Sequence, residues 1–105
     1  MFPANEFAIN DNSLIIKYIM KSVEIQQVIY DWAMTQDFTA PYGVLMGKHT
    51  NKKGKQYLSV TFGRARTLDA TVEIYNRNFM ILRTNLHGNK IFKDFNELQE
   101  ALNLL

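Results

Sequence analysis

Cysteine is absent from the chain, and with it go disulfide cross-links, thiolate metal sites and cysteine nucleophiles. Small secreted domains often depend on disulfides, so the expected setting is a reducing, cytoplasmic one. Only two prolines occur, Pro3 and Pro41, and neither interrupts a periodic segment. No Asn-x-Ser/Thr glycosylation acceptor is present. The longest apolar run, Leu14 to Met20, is broken by Lys17 and is far too short to cross a bilayer. The start, Met1-Phe2-Pro3-Ala4, offers neither a basic n-region nor an unbroken apolar stretch, so no signal peptide and no membrane association are expected. Internal repeats, low-complexity tracts and heptads are also missing.

What is present is ordinary in amount. A chain of 105 residues, 47% apolar and 21% charged, is expected to form one globular domain. At that size folding buries somewhat over ~60% of the unfolded surface, enough for a core without staples.

The charge is ordinary in sum, +2, and uneven in distribution. Residues 1–37 carry two basic and five acidic groups. Residues 38–68 carry six basic groups, Lys48, Lys52, Lys53, Lys55, Arg64 and Arg66, and no acid. Residues 69–105 return to near balance, with four basic and five acidic groups. A middle third without a carboxylate is the main anomaly of the sequence.

From Ser22 the apolar residues Ile25, Val28, Ile29, Trp32 and Ala33 recur at i, i+3 and i+4, which predicts a helix over 22–36 that Ser22 can cap. Upstream, residues 13–21 fit both periods. They are read as a helical extension behind the capping run Asn10–Ser13, with a strand as the alternative. Beyond Pro41 the period changes to two. Strands are expected at Tyr42–Thr50, Gln56–Gly63, Thr67–Tyr75 and Phe79–Leu86, with a brief fifth at Lys90–Phe92. Asn51–Lys55, Asn76–Asn78 and His87–Asn89 are the turns. Asp94 caps a last helix with the stripe Phe95, Leu98, Ala101, Leu102 and Leu105, and Asp94-Phe95-Asn96-Glu97 has the form of a capping box. The fold class is therefore α+β: an N-terminal helix, an antiparallel meander of four to five strands and a C-terminal helix packed on the sheet.

Lys48, Lys52, Lys53 and Lys55 fall on the arms and tip of the first hairpin, Arg64 and Arg66 follow its second strand, and Tyr57 and Phe62 lie between. Flexible lysines neutralise phosphates, a two-stranded ribbon fits a major groove, and aromatics on a sheet face stack on unpaired bases. The plainer alternative is a solvated hairpin whose lysines discourage edge pairing. Phe62 alternates with the apolar face and is expected in the core. The two ends of the hairpin should also stand ~20 Å apart.

Other constellations are weaker. Gly43–Lys48 has the glycines and lysine of a phosphate-binding loop, but three residues separate the glycines instead of four. His49 also stands where Ser or Thr is required, so nucleotide binding by this route is excluded. His49 and His87 have no second ligand at metal spacing, so no metal or cofactor is expected. A set of His49, Lys53, Tyr57, Arg64 and Arg66 is the remote route to a metal-independent ribonuclease. Asp69 and Glu73, about 13 Å apart on one strand face, are expected at a solvent-facing strand edge. Tyr18, Tyr30 and Met34 lie off the stripe of the first helix. With Asp31 they make an acidic, aromatic face suited to a protein partner or to self-association.

Two functions follow. The first is a non-catalytic nucleic-acid-binding module using Lys48, Lys52, Lys53, Lys55, Tyr57, Arg64 and Arg66. The second is a protein-binding adaptor or inhibitor, of the kind found among small phage-type accessory proteins, acting through the basic hairpin or through Tyr30, Asp31 and Met34.

Overall fold

The computed structural model describes residues 20–38 and 43–105. Helix α1 spans Ser22–Met34, strands β1 to β5 span Leu45–Thr50, Gln56–Arg64, Leu68–Asn76, Phe79–Thr84 and Gly88–Phe92, and helix α2 spans Phe95–Asn103. The strands form one antiparallel sheet in chain order, β1-β2-β3-β4-β5. Both helices lie on one face, α1 over β1–β3 and α2 over β4 and β5. The expected architecture is the observed one.

Alternation sets the core. Leu58, Val60 and Phe62 of β2, Ala70, Val72 and Ile74 of β3, and Met80 and Leu82 of β4 all face the helices. Ile25, Ile29 and Ala33 of α1 and Phe95, Leu98 and Leu102 of α2 close over them. Each fully buried side chain of this size contributes about 1.5–3 kcal/mol of transfer free energy. Trp32 packs edge-on against Phe62 at 5.6 Å, and Phe38 meets the same ring at 4.7 Å.

Several boundaries differ from the sequence reading for local reasons. The N-cap of α1 is Lys21, whose backbone is extended (φ −85°, ψ 160°). Ser22 therefore lies inside the first turn, and the helix does not run in from residue 20. Lys21 needs no capping hydroxyl, because its N–H donates to Glu24 Oε1 at 2.8 Å. Thr35 ends the helix two residues early, its hydroxyl donating to the Trp32 carbonyl at 2.7 Å. Strand β1 begins at Leu45, after Gly43 in the left-handed region (φ 71°). Strand β4 stops at Thr84, because the next residue, Asn85, turns its side chain back to the Asp69 N–H at 2.7 Å. At α2 the Asp94 carboxylate accepts from the Asn96 N–H at 2.8 Å, as an N-cap should. The expected elements at 13–19, the capping run Asn10–Ser13, Tyr18, Pro41 and Tyr42 lie outside the described residues. Among the described residues no helix is long and apolar enough to cross a membrane.

Candidate functional site

No described helix covers the second face of the sheet. Four rings form a row across it, one from each of four strands. His49 of β1 stands 5.1 Å from Tyr57 of β2, which stands 5.0 Å from Tyr75 of β3, which stands 5.3 Å from Phe79 of β4. Two sequence features create the row. Between Ile74↔Met80 and Asn76↔Phe79 the register of β3 and β4 shifts, and Tyr75 is the extra residue of this bulge. Gly47 is the other. A Cβ there would lie 2.5 Å from His49 Nε2 and 2.9 Å from Ser59 Oγ, so only glycine lets the imidazole lean along β1 to meet Ser59. The two side chains are 2.9 Å apart.

Further along the strands on the same face lies a polar layer. Glu73 was expected at a solvent-facing strand edge. It is instead on the central strand and only 8% exposed. It accepts two bonds from Arg83, from Nε at 2.8 Å and from Nη2 at 3.1 Å, and one from the Tyr75 hydroxyl at 3.3 Å. The fork geometry explains its burial, since a carboxylate leaves water only with its lone pairs satisfied. The Glu73 hydrogen bond holds the Arg83 guanidinium above its ordinary pKa. Desolvation pushes the Tyr57 phenol upward, and the Glu73 charge pushes it further.

The β1–β2 turn rises beside this layer. Asn51 Oδ1 accepts from the Lys53 and Lys55 N–H groups, each at 2.9 Å, while the Asn51 backbone bonds Lys55 and Gly54. Gly54 takes the left-handed conformation (φ 84°) that closes the turn. Lys52, Lys53 and Lys55 all project into solvent from this frame. Together with Asn51 they form one wall of a shallow concavity of about 620 Å³; Tyr75, Asn76, Phe79, Ile81 and Arg83 form the rest. The turn end of β3–β4 adds Arg77, exposed at the same end of the sheet. Among the described residues no carboxylate pairs with Lys52, Lys53, Lys55 or Arg77, and the one ion pair is Arg83–Glu73.

The six basic residues of the middle third are thus divided. Lys52, Lys53 and Lys55 share the concavity, and Tyr57 stands in the ring row beside it. Lys48 pairs with Leu58 and so belongs to the helix-covered face, at the edge strand. Arg64 lies at the opposite end of β2, with its guanidinium 5.0 Å over the Phe38 ring and donating to the Leu105 carbonyl at 3.3 Å. Arg66 occupies the adjacent turn with φ 68°. Sequence reasoning missed Tyr75, Phe79, Arg77 and Arg83. The signal was the turn at Asn76–Asn78, which puts its flanking residues at the same sheet end as the lysine turn.

His49 has Nε2 engaged with Ser59, and no described carboxylate bonds its other nitrogen, the orienting contact that a general base of the Ser-His-Asp type uses. Among the described residues no cluster of three or more His, Asp or Glu forms a metal site. On α1, Asp31 accepts from the Gln27 amide at 2.8 Å and Tyr30 packs partly against the core, while Val23 and Met34 stand 65% and 56% exposed. Comparison with protein families, curated proteins and solved structures returns no match to this chain.

Proposed function

We propose that the chain is a non-catalytic nucleic-acid-binding module of the cytoplasm, with the concavity between the lysine turn and the ring row as its contact surface. The observation that carries this reading is the convergence of three unpaired lysines and an aromatic floor on one side of one sheet end. Lysines there meet phosphates while the floor meets sugar or base. Glu73 does not oppose an anion, because Arg83 already neutralises it. Lys48, Arg64 and Arg66 are outside the footprint.

Fluorescence anisotropy against mixed-sequence DNA and RNA over a range of salt tests the reading. Each phosphate contact contributes about 0.7–0.9 to the log–log salt slope, so Lys52→Ala/Lys53→Ala/Lys55→Ala should flatten the slope by about 2–3. Its melting temperature should stay close to that of the parent, since the three side chains make no buried contact. No binding at about 50 mM salt would sink the reading.

Val23 and Met34 favour a second reading, a protein-binding or inhibitory face on α1. They lie at helical spacing with Tyr30, so one stripe presents two exposed apolar side chains and a half-buried ring next to Asp31. A complex that survives nuclease and is lost in Val23→Lys/Met34→Lys would support it.

A further inference from the structure

The concavity also discriminates between forms of nucleic acid, an inference that rests on the reading just given. Three observations bear on it. First, the hairpin does not stand free. Strand β2 pairs with β3 from Leu58 onward and with β1 along all of β1, so little beyond the five-residue turn projects from the sheet. A major groove about 8.5 Å deep calls for a projecting ribbon or helix to reach base edges. Second, the rings open where they meet the concavity. His49–Tyr57 and Tyr57–Tyr75 are inclined at 34° and 32°. Tyr75 and Phe79 are inclined more steeply, at 55°, and both line the concavity together with Ile81. Third, Lys52, Lys53 and Lys55 line the same concavity as Tyr75 and Phe79.

We infer that the concavity takes an unpaired polynucleotide strand, with a base on the Tyr75–Phe79 rings and the neighbouring phosphates on Lys52, Lys53 and Lys55. In a duplex the bases are stacked on one another and leave the rings without a partner; in a single strand their faces are free. The seat recognises phosphate and base face, so single-stranded DNA and RNA are bound alike.

Anisotropy with the intact chain separates the possibilities. The probes are oligothymidylate and oligouridylate of about 12 nucleotides, a fully abasic phosphodiester of the same length, and a duplex of matched length. Oligothymidylate and oligouridylate should agree within about threefold, and the abasic strand should bind about tenfold more weakly, the loss of one good stacking contact. The duplex should also be weaker than the single strand. In Tyr75→Leu/Phe79→Leu the ratio of oligothymidylate to abasic affinity should fall toward one while abasic binding, held by the lysines, persists. A cooperative thermal melt of the variant checks that it is folded. Equal affinity for abasic and thymidylate strands, equal or tighter binding of duplex, or an unchanged ratio in the leucine variant would overturn the inference and leave phosphate-dependent binding standing. A sugar preference beyond tenfold would overturn the indifference to DNA and RNA. Failure of every probe to bind at about 50 mM salt would remove the nucleic-acid reading itself.

Discussion

On the helix-covered face of the sheet, Val60, Phe62, Val72, Ile74 and Met80 are apolar and buried. On the other face those strands and β1 present His49, Ser59, Glu73, Tyr75, Phe79 and Arg83. Both faces are ordered, by different forces. The first is held by removal of apolar area from water, which is non-directional and large. The second is held by a few directed bonds around one carboxylate and by rings packed against rings. A face built in the second way costs stability relative to an apolar core and leaves donors, ring faces and charges available to a ligand.

Truncation on the covered face should have the largest effect. Phe62→Ala removes a ring that touches both Trp32 and Phe38, and denaturant unfolding should show a loss of about 3–5 kcal/mol. On the open face, Glu73→Gln keeps the shape and removes the charge. The Arg83 fork then faces a neutral amide, and a loss of about 1–2 kcal/mol is expected, moderated because the Arg83 side chain is 41% exposed. The same variant reports on Tyr57. Burial is the larger cause of its raised pKa and Glu73 the second, so phenolate absorbance should show Tyr57 titrating at lower pH in Glu73→Gln than in the parent, and still above the ordinary tyrosine value of 10.0. A phenol with a folded pKa above the unfolded one favours folding while it stays protonated. That contribution is whole below pH 10.0 and disappears as pH rises through the folded value. The smallest effect should come from Gly47→Ala. The new Cβ displaces the exposed His49 ring from Ser59, and a loss of about 1 kcal/mol is expected from the broken bond at Ser59, a residue only 4% exposed. If Gly47→Ala proved as damaging as Phe62→Ala, the contrast between the faces would be false.

The covered face was legible in the sequence because its rule is periodic. The stripes Ile25–Ala33 and Phe95–Leu105 and the alternation Leu58-Val60-Phe62 need only spacing, and every residue those patterns name is buried or packed against the core. The lysine turn was legible too, as a run of charge around Gly54. The open face was much less so. Tyr57, Tyr75 and Phe79 are scattered over 23 positions, and they become neighbours only through strand register and a bulge that no local pattern marks. Glu73 shows the same limit: beside Asp69 it reads as a solvent-facing carboxylate, and its partner Arg83 lies on the next strand. Arg64 misled in the other direction. Its place in a basic run suggested shared work with the lysines, yet β2 carries it to the far end of the sheet, against Phe38 and the Leu105 carbonyl.

One oxygen atom separates the shape of the hairpin tip from its chemistry. Asn51 Oδ1 receives the amides of Lys53 and Lys55, and Gly54 supplies the left-handed residue, so the side chain at 51, the glycine at 54 and backbone groups hold the loop path. The side chains at 52, 53 and 55 are passengers on that path. The tip is therefore a cassette in which valence can be dialled from three cations to none, or replaced by another recognition sequence, while the sheet beneath stays as it is.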